Sequence, residues 1–325
     1  MHIQPIADHC GAEASGIDLK TVDDAGLGAL KAAVADRGVL FVRGQDLTPE
    51  DHIAFARRWG DIDINNYFPA NGGHPEIAEV RKAETQTTNI GGGWHTDHSY
   101  DQVPAMGSIL LARETPPTGG DTLFSSLGAA YDSLSDGLKA TLDTLRAVHS
   151  ADHIYGSDGV YAKTDQGADL KGHDISATAI HPAVIRHPVT GRKILYVNPA
   201  FTLHFEGWTR EESMPLLAYL YSVAMRPEFQ CRLQWAPGSL AVWDNRSTWH
   251  LAMNDYHGHR RLMHRITISG VPLTQARGGS RLRHAAISRA SAGGGGEPSI
   301  RGSATSCDGK CSDMRSPLPT HTGKA

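Results

Sequence analysis

Hydrophobic residues in the first 277 positions fall mainly into short runs separated by glycine and proline. Such runs are typical of β-strands rather than of long amphipathic helices. They predict strands at 39–42, 77–80, 108–112, 194–197, 229–235, 240–243 and 262–269. Residues 188–191, with the sequence Pro-Val-Thr-Gly, have the composition of a hairpin turn between two strands.

Two segments carry the polar residues that begin helices. Thr48 and Pro49 supply an N-cap and a first-turn proline ahead of apolar positions that start at Ile53. Thr209 and Glu212 have the spacing of a capping box before a second apolar series. Many strands with a few helices predict a mostly β protein with helical insertions and a double-sheet core.

The composition of the 325-residue chain, 40% hydrophobic and 20% charged, suits a globular protein with a sizeable buried core. No stretch approaches the roughly 18 continuous apolar residues of a membrane span, and the first residues lack the pattern of a secretory signal. We therefore expect a cytoplasmic protein with no membrane partner. A formal net charge of −4 gives no indication of a nucleic-acid partner.

The composition changes at 278–325, which is rich in Gly and Ser and contains no Phe, Trp or Tyr. Such a segment cannot bury enough apolar surface to offset its ordering entropy. The sequence therefore predicts one folded domain at 1–277 and a disordered tail at 278–325. Cys307 and Cys311 in this tail provide only half of a zinc site.

The first candidates for a functional site are His95 and Asp97, which lie two positions apart and follow three glycines. In extended backbone, side chains at this spacing share a face and can reach one metal ion. One further imidazole would complete a two-His-one-carboxylate set that leaves three positions open on ferrous iron. The spacing alone is weak evidence, because His-x-Glu also occurs at 74–76 and 204–206. The glycines at 91–93 suit either a simple turn or the edge of a mobile lid.

Several motifs occur together in a fixed order along the chain. They are Trp94-His95-Thr96-Asp97, Gly119-Gly120-Asp121-Thr122, Trp243-Asp244-Asn245-Arg246, His250 and Arg260-Arg261-Leu262-Met263-His264-Arg265. In this respect the chain resembles the taurine dioxygenase-like (TauD/TfdA) family of Fe(II)- and 2-oxoglutarate-dependent oxygenases, over residues 1 to about 275. The resemblance implies that the double-sheet core is a double-stranded β-helix, or jelly roll.

The resemblance also implies that the domain at 1–277 is a catalytic domain with an iron site. His95, Asp97 and His250 match the iron ligands and catalytic residues of the family. Thr122 and Arg261 match the residues that hold the 2-oxoglutarate carboxylate remote from the metal, a task that suits the two-pronged donor geometry of a guanidinium. The expected cofactor is Fe(II), with 2-oxoglutarate and O2 as co-substrates.

Substrate binding is expected to involve Arg265, four residues after Arg261 and on the same face of a strand. In the taurine enzyme the matching arginine binds the substrate sulfonate, which implies a small acidic organic substrate here. That enzyme has histidine and tyrosine contacts where this chain has Asn65 and Phe68. With Phe201 as a further wall residue, these differences predict a roomier, less polar pocket for a sulfonate, an alkyl sulfate or an aryloxyalkanoate.

The resemblance implies hydroxylation of that acid, with release of succinate and CO2 and often with cleavage at the hydroxylated carbon. A homo-oligomer, dimer or tetramer, is expected because it is common in the family. Two other hypotheses stay open on the sequence. A zinc-dependent hydrolase could use the same three ligands, and a non-catalytic acid-binding protein could retain them without turnover.

Overall fold

The computed structural model describes residues 1–167, 170 and 176–276. The predicted tail at 278–325, including Cys307 and Cys311, lies outside these residues, as does the last residue of the predicted catalytic domain. No helix in the described part of the chain is long and apolar enough to cross a membrane.

Strands predominate among the described elements, as the hydrophobic pattern predicts. The strands are β1 (His2–Pro5), β2 (Ala12–Ser15), β3 (Val39–Val42), β4 (Ile62–Asp63), β5 (Ala70–Asn71), β6 (His74–Lys82), β7 (Gly107–Glu114), β8 (Thr122–Ser126), β9 (Arg146–Ser150), β10 (Thr178–Pro182), β11 (Val184–Arg186), β12 (Lys193–Leu195), β13 (Thr202–Phe205), β14 (Gln230–Leu233), β15 (Leu240–Asp244), β16 (Thr248–Ala252) and β17 (Arg261–Ile268). The helices are α1 (Asp24–Arg37), α2 (Pro49–Arg57), α3 (Leu127–Asp132), α4 (Asp136–Leu142), α5 (Asp152–Tyr155) and α6 (Arg210–Ala224). Short 3-10 helices occupy Tyr161–Lys163 and Pro227–Phe229.

A nine-stranded sheet forms one wall of the molecule. Its strands follow the order β1-β2-β3-β15-β7-β17-β6-β5, and β4 also pairs with β17. All the pairings are antiparallel except that of β2 with β3. The central strands come from distant parts of the chain, and this sheet places the predicted motifs at 243–246 and 260–265 on either side of β7.

A second sheet, in the order β14-β8-β16, faces the first. Side chains alternate between the two faces of a strand, and β15 shows the result. Val242 packs with α1 and α2 on the outside, whereas Trp243 packs between the sheets. Phe124 of β8 and Leu233 of β14 meet Trp243 in that inner layer. Two facing sheets with an apolar layer between them form the jelly-roll core implied by the family resemblance.

The predicted helix starts and most predicted strands are confirmed. Thr48 and Thr209 both form complete capping boxes, at the beginning of α2 and of α6. The hairpin turn at 188–191 joins β11 to β12, which pair antiparallel. The strand predicted at 229–235 is shorter, because Phe229 ends a 3-10 helix and the ladder with β8 stops at Leu233.

Cys10 and Cys231 lie 221 positions apart in sequence but meet in the structure. Their Sγ atoms are 3.3 Å apart, and both thiols are buried and free. The contact joins the segment after β1 to β14. Their distance in sequence gave no indication of it, since only the pairing of the sheets brings these segments together.

Candidate active site

His95 and His250 are placed side by side by a single antiparallel bridge. The backbone N–H of His95 donates to the carbonyl of His250 at 3.1 Å, and the N–H of His250 donates back at 2.9 Å. Residues paired in this way project their side chains on one face. The two imidazole centroids are consequently 4.0 Å apart, although 155 positions separate the residues in sequence.

Asp97 completes the group from a turn rather than from a strand. A shared face for His95 and Asp97 required extended backbone through 95–97, but the ladder is limited to His95, and the chain turns from Asp97 onward. The turn is held by the Thr96 hydroxyl, which donates to the carbonyl of Thr248 at 3.1 Å, and by a positive φ of 61° at His98. Asp97 Oδ1 still lies 3.4 Å from His95 Nε2, and Oδ2 lies 3.7 Å from His250 Nε2.

The donor atoms of this group suit a divalent cation. His95 Nδ1 lies 2.8 Å from the carbonyl of Gly93, which can only accept, so Nδ1 carries a hydrogen and Nε2 is the ring atom that faces Asp97. Burial, and then the neighbouring His95, lowers the pKa of His250 to about 3, so the imidazole of His250 is neutral. Two imidazoles and a carboxylate, with ligand atoms all within 4.8 Å, form the one such cluster among the described residues. The set fits Fe(II) or a similar ion.

Arg265 lies against the same carboxylate. Its Nη1 donates to Asp97 Oδ2 at 3.2 Å, and its Cζ is 4.8 Å from the centroid of the Phe68 ring. Burial would raise the pKa of Asp97, but Arg265, His250 and His95 together outweigh it and hold that pKa well below its usual value. Asp97 is therefore charged and available as a metal ligand across the physiological range.

Thr122 and Arg261 form a second part of the site, farther along the inner cavity. Thr122 begins β8, and its Oγ1 accepts a hydrogen bond from Trp235 Nε1 at 2.9 Å. Arg261 begins β17, is 6% exposed, and has no carboxylate bound to its guanidinium in the described part of the chain. Its Nε is buried without a partner. A buried cation without a counter-charge is costly, so this arrangement fits the carboxylate of an incoming ligand.

The inner cavity connects these parts. It has a volume of about 50 Å³, and Arg261 and Arg265 both line it from β17, as their spacing of four predicts. The remaining lining residues are Phe68, Val80, Ile90, Gly91, His95, Asp97, Leu110, Thr122, Tyr155, Trp243, His250 and Ala252. The proposed metal ligands, the Arg261 guanidinium without a bound carboxylate and the Arg265 guanidinium paired with Asp97 thus line one small cavity.

A larger, mostly apolar cavity of about 380 Å³ adjoins the inner one, with Gly91, His95 and Tyr155 lining both. Its other walls are Thr88, Asn89, Gly92, Gly93, Trp94, Ile154, Val160, Tyr161, Pro199, Ala200 and Phe201. Phe201 contacts His95 edge to face, with centroids 6.3 Å apart. This cavity offers space for an apolar group next to the imidazole of His95.

The predicted substrate residues are not all in the cavities. Phe68 lines the inner cavity and Phe201 the larger one. Asn65 lines neither; its Oδ1 accepts hydrogen bonds from the backbone N–H groups of Tyr67 and Phe68 at 2.9 and 3.0 Å. Asn65 therefore shapes the turn that presents Phe68, and its direct substrate contact stays a prediction.

Aromatic residues of the larger cavity were missed by sequence reasoning. Tyr155 ends α5, and Tyr161 begins a 3-10 helix in the same connection. The Tyr161 hydroxyl accepts a hydrogen bond from the N–H of Gly91 at 2.8 Å and so holds the glycine segment beside His95. No motif or periodicity marks these tyrosines, because their place depends on how a long connection folds back over the sheet.

Comparisons with known proteins agree with this geometry. The profile described as "Taurine catabolism dioxygenase TauD, TfdA family" matches residues 2–267. An alkylsulfatase of Acinetobacter baylyi is 34% identical over 86% of this chain and 88% of its own length. An alpha-ketoglutarate-dependent sulfate ester dioxygenase of Pseudomonas putida is 32% identical over 83% and 90%. A crystal structure of a taurine dioxygenase from Burkholderia xenovorans has a TM-score of 0.72, with 34% identity over 85% of this chain and 91% of that one.

Proposed function

The chain belongs to the TauD, TfdA family, and we propose that it oxidises an organic acid whose acidic group is bound by Arg265 and whose apolar part occupies the larger cavity. It is an Fe(II)- and 2-oxoglutarate-dependent dioxygenase acting on a small organic acid. The relatives match this interpretation and not the zinc-dependent hydrolase. The observation that carries the proposal is that Arg265 lines the inner cavity together with the proposed metal ligands and contacts Asp97.

In this proposal His95, Asp97 and His250 hold the iron, and Thr122 and Arg261 hold the remote carboxylate of 2-oxoglutarate. Bound Fe(II), together with 2-oxoglutarate and O2, supplies the oxidising chemistry, with release of succinate and CO2. The protein contributes orientation. His95 is held by its hydrogen bond with the carbonyl of Gly93, and Arg261 is buried where a bound anion can compensate its charge.

We further propose an alkyl sulfate ester as the preferred substrate class. Arg265 offers a planar fork to the sulfate oxygens, and Phe68 covers one face of its guanidinium. The larger cavity is lined by Tyr155, Tyr161 and Phe201, which suit an alkyl chain better than a second charge. The two relatives described above, an alkylsulfatase and a sulfate ester dioxygenase, support the same class. Hydroxylation of the carbon that bears the ester oxygen gives an adduct that breaks into an aldehyde and sulfate.

The experiment is a measurement of succinate release with a panel of acids. The panel contains alkyl sulfates of increasing chain length, alkyl sulfonates, aryloxyalkanoates and the matching neutral alcohols. We expect alkyl sulfates to give the highest kcat/KM and the alcohols to give none above background. Preferred turnover of aryloxyalkanoates would contradict the substrate class, and preferred turnover of the alcohols would contradict the role of Arg265.

A variant that narrows the larger cavity tests where the alkyl chain lies. Ala200→Phe adds bulk to the cavity wall, so long-chain sulfates should lose turnover while short ones keep it. Val189→Phe provides the matched control, since Val189 is 68% exposed and lies outside both cavities. Equal loss for all chain lengths in Ala200→Phe would contradict this placement.

The cytoplasmic location and the homo-oligomeric state, dimer or tetramer, remain predictions within this proposal, as does the absence of nucleic-acid and membrane partners. Light scattering on the purified chain measures the oligomeric state directly. A monomer at working concentrations would contradict the oligomer and leave the catalytic proposal unchanged, because all the proposed ligands come from one chain.

A further inference from the structure

Lys82 is a buried lysine, and its charge has no role in the chemistry proposed above. It is the last residue of β6 and is 1% exposed. Its Nζ is buried and has no hydrogen-bond partner in the described part of the chain. The nearest compensation is the ring of Tyr256, whose centroid is 4.3 Å from Nζ. A cation–π contact stabilises an ammonium by far less than the loss of its hydration costs.

The side chain of Lys82 faces the interior between the two sheets. Lys82 lies directly opposite Arg261 in the antiparallel ladder of β6 with β17, and residues paired in this way share a face. Val80, two positions earlier on β6, lines the inner cavity and is paired with Met263. The interior row of β6 therefore runs from Val80 to Lys82 beside the row of β17 that ends at Arg261.

Lys82 and Arg261 thus form a pair of neighbouring cations with no bound carboxylate in the residues that the structure describes. The two acids whose charges act on these cations bind other groups. Asp121 accepts a hydrogen bond from Arg232 Nε at 2.5 Å. Asp165 favours the charged form of Lys82, although burial lowers the pKa of Lys82, and its carboxylate accepts from the Thr87 side chain at 2.7 Å rather than from Lys82. By contrast, Arg265 at the other end of the cavity already lies against Asp97. The excess positive charge is at the end of the cavity remote from the metal ligands.

We propose that Lys82 is a positioning residue for 2-oxoglutarate, adding a second positive charge where Arg261 binds the carboxylate remote from the metal. This inference rests on the proposed function, since it needs Arg261 to hold that carboxylate. Lys82 acts through the electrostatic field beside Arg261 and favours a co-substrate with an anionic remote end. It explains why a lysine is kept buried at this position.

The test compares two 2-oxo acids of equal length by calorimetry on the Fe(II)-loaded protein without oxygen. 2-Oxoglutarate has the remote carboxylate, whereas 2-oxopentanoate lacks it. In Lys82→Met we expect the Kd of 2-oxoglutarate to rise by about tenfold, the effect of losing one nearby charge of this kind. The Kd of 2-oxopentanoate should change by less than about twofold. Lys82→Arg should restore most of the 2-oxoglutarate affinity.

The variants also separate positioning from a structural role. Removing an unpaired buried charge does not lower stability, so the Tm of Lys82→Met should equal or exceed that of the original protein. Lys82→Gln, which is polar but uncharged, should give the same pattern of Kd values. Equal weakening of both acids, or unchanged binding of 2-oxoglutarate in Lys82→Met and Lys82→Gln, would overturn the inference. Failure of the unmodified protein to bind 2-oxoglutarate would instead overturn the proposed function.

Discussion

Arg265 donates a hydrogen bond to Asp97 across the inner cavity, with 3.2 Å between Nη1 and Oδ2. The residue proposed to bind the substrate acid therefore touches a residue proposed to bind the metal. Phe68 covers the guanidinium from another side, so its position is fixed by two contacts. In the proposed function, the anionic group of the substrate lies beside the metal and the rest of the molecule extends toward the larger cavity.

Replacing Arg265 should affect the substrate acid more than the co-substrate. In Arg265→Met we expect kcat/KM for an alkyl sulfate to fall by roughly 30-fold or more, because a buried charged hydrogen-bond donor is lost. The Kd of 2-oxoglutarate should stay within about threefold, since Arg261 is intact. Steady-state kinetics and calorimetry measure the two quantities.

Arg265→Lys provides the matched variant, because it keeps the charge but loses the planar fork. It should recover part of the lost kcat/KM and no more. Full activity in Arg265→Met would contradict the proposed anchor.

Gly91 should tolerate no side chain. Its φ is +78°, and an added Cβ would lie 3.2 Å from Cε1 of His95. In Gly91→Ala we expect a loss of about 1–2 kcal/mol in the free energy of unfolding, from backbone strain. Weaker Fe(II) binding should accompany it, because the ring of His95 must shift. Gly93→Ala is the control, since Gly93 has an ordinary φ and open space around it, and equal effects in both variants would contradict this explanation.

Asp244 should be essential for stability. Its carboxylate accepts from Arg246 Nε at 2.8 Å and from His187 Nε2 at 3.0 Å, and all three side chains are buried. Asp244→Asn removes the charge that compensates Arg246, so we expect a loss of about 3–5 kcal/mol in the free energy of unfolding at pH 7. Urea unfolding measures it. Glu76→Gln, which breaks an exposed pair with Arg57, should cost less than about 0.5 kcal/mol.

The same carboxylate should make stability depend on acid pH. Burial would raise the pKa of Asp244, but the hydrogen bonds and charge of Arg246, with His187, lower it from 3.8 to about 2. A depressed pKa gives stability that is present above the unfolded value of about 4 and is lost as pH falls toward 2. Between these pH values the unmodified protein should therefore lose more stability than Asp244→Asn. Parallel loss in both would exclude Asp244 as the cause.

The sequence predicted the fold well where local chemistry decides it. The capping boxes at Thr48 and Thr209 start helices wherever they precede apolar positions, and β3 matches its predicted bounds at 39–42. Helix α1 was missed, although Asp23 caps it. Gly26 and Gly28 interrupt its first turns and weaken the helical pattern, and only packing of α1 against the large sheet compensates for them.

The candidate site was predicted less evenly. The spacing of His95 and Asp97 could not distinguish them from the similar pair at 204–206, since the bridge to His250 is a long-range contact. The order of the motifs along the chain, rather than the spacing of His95 and Asp97, identified the three proposed iron ligands. The contact of Arg265 with Asp97 and the burial of Lys82 both depend on segments that are distant in sequence and packed together in the fold. No local pattern shows them, because a lysine at a strand end is usually solvated.

The central claim is that His95, Asp97 and His250 bind Fe(II) and leave room for 2-oxoglutarate. The most direct measurement is the visible absorption of the protein with Fe(II) and 2-oxoglutarate in the absence of oxygen. We predict a weak charge-transfer band that is lost in His95→Ala and in His250→Ala and kept in His204→Ala, which alters the comparable spacing at 204–206. Absence of the band in the unmodified protein, or its persistence in His95→Ala, would contradict the account.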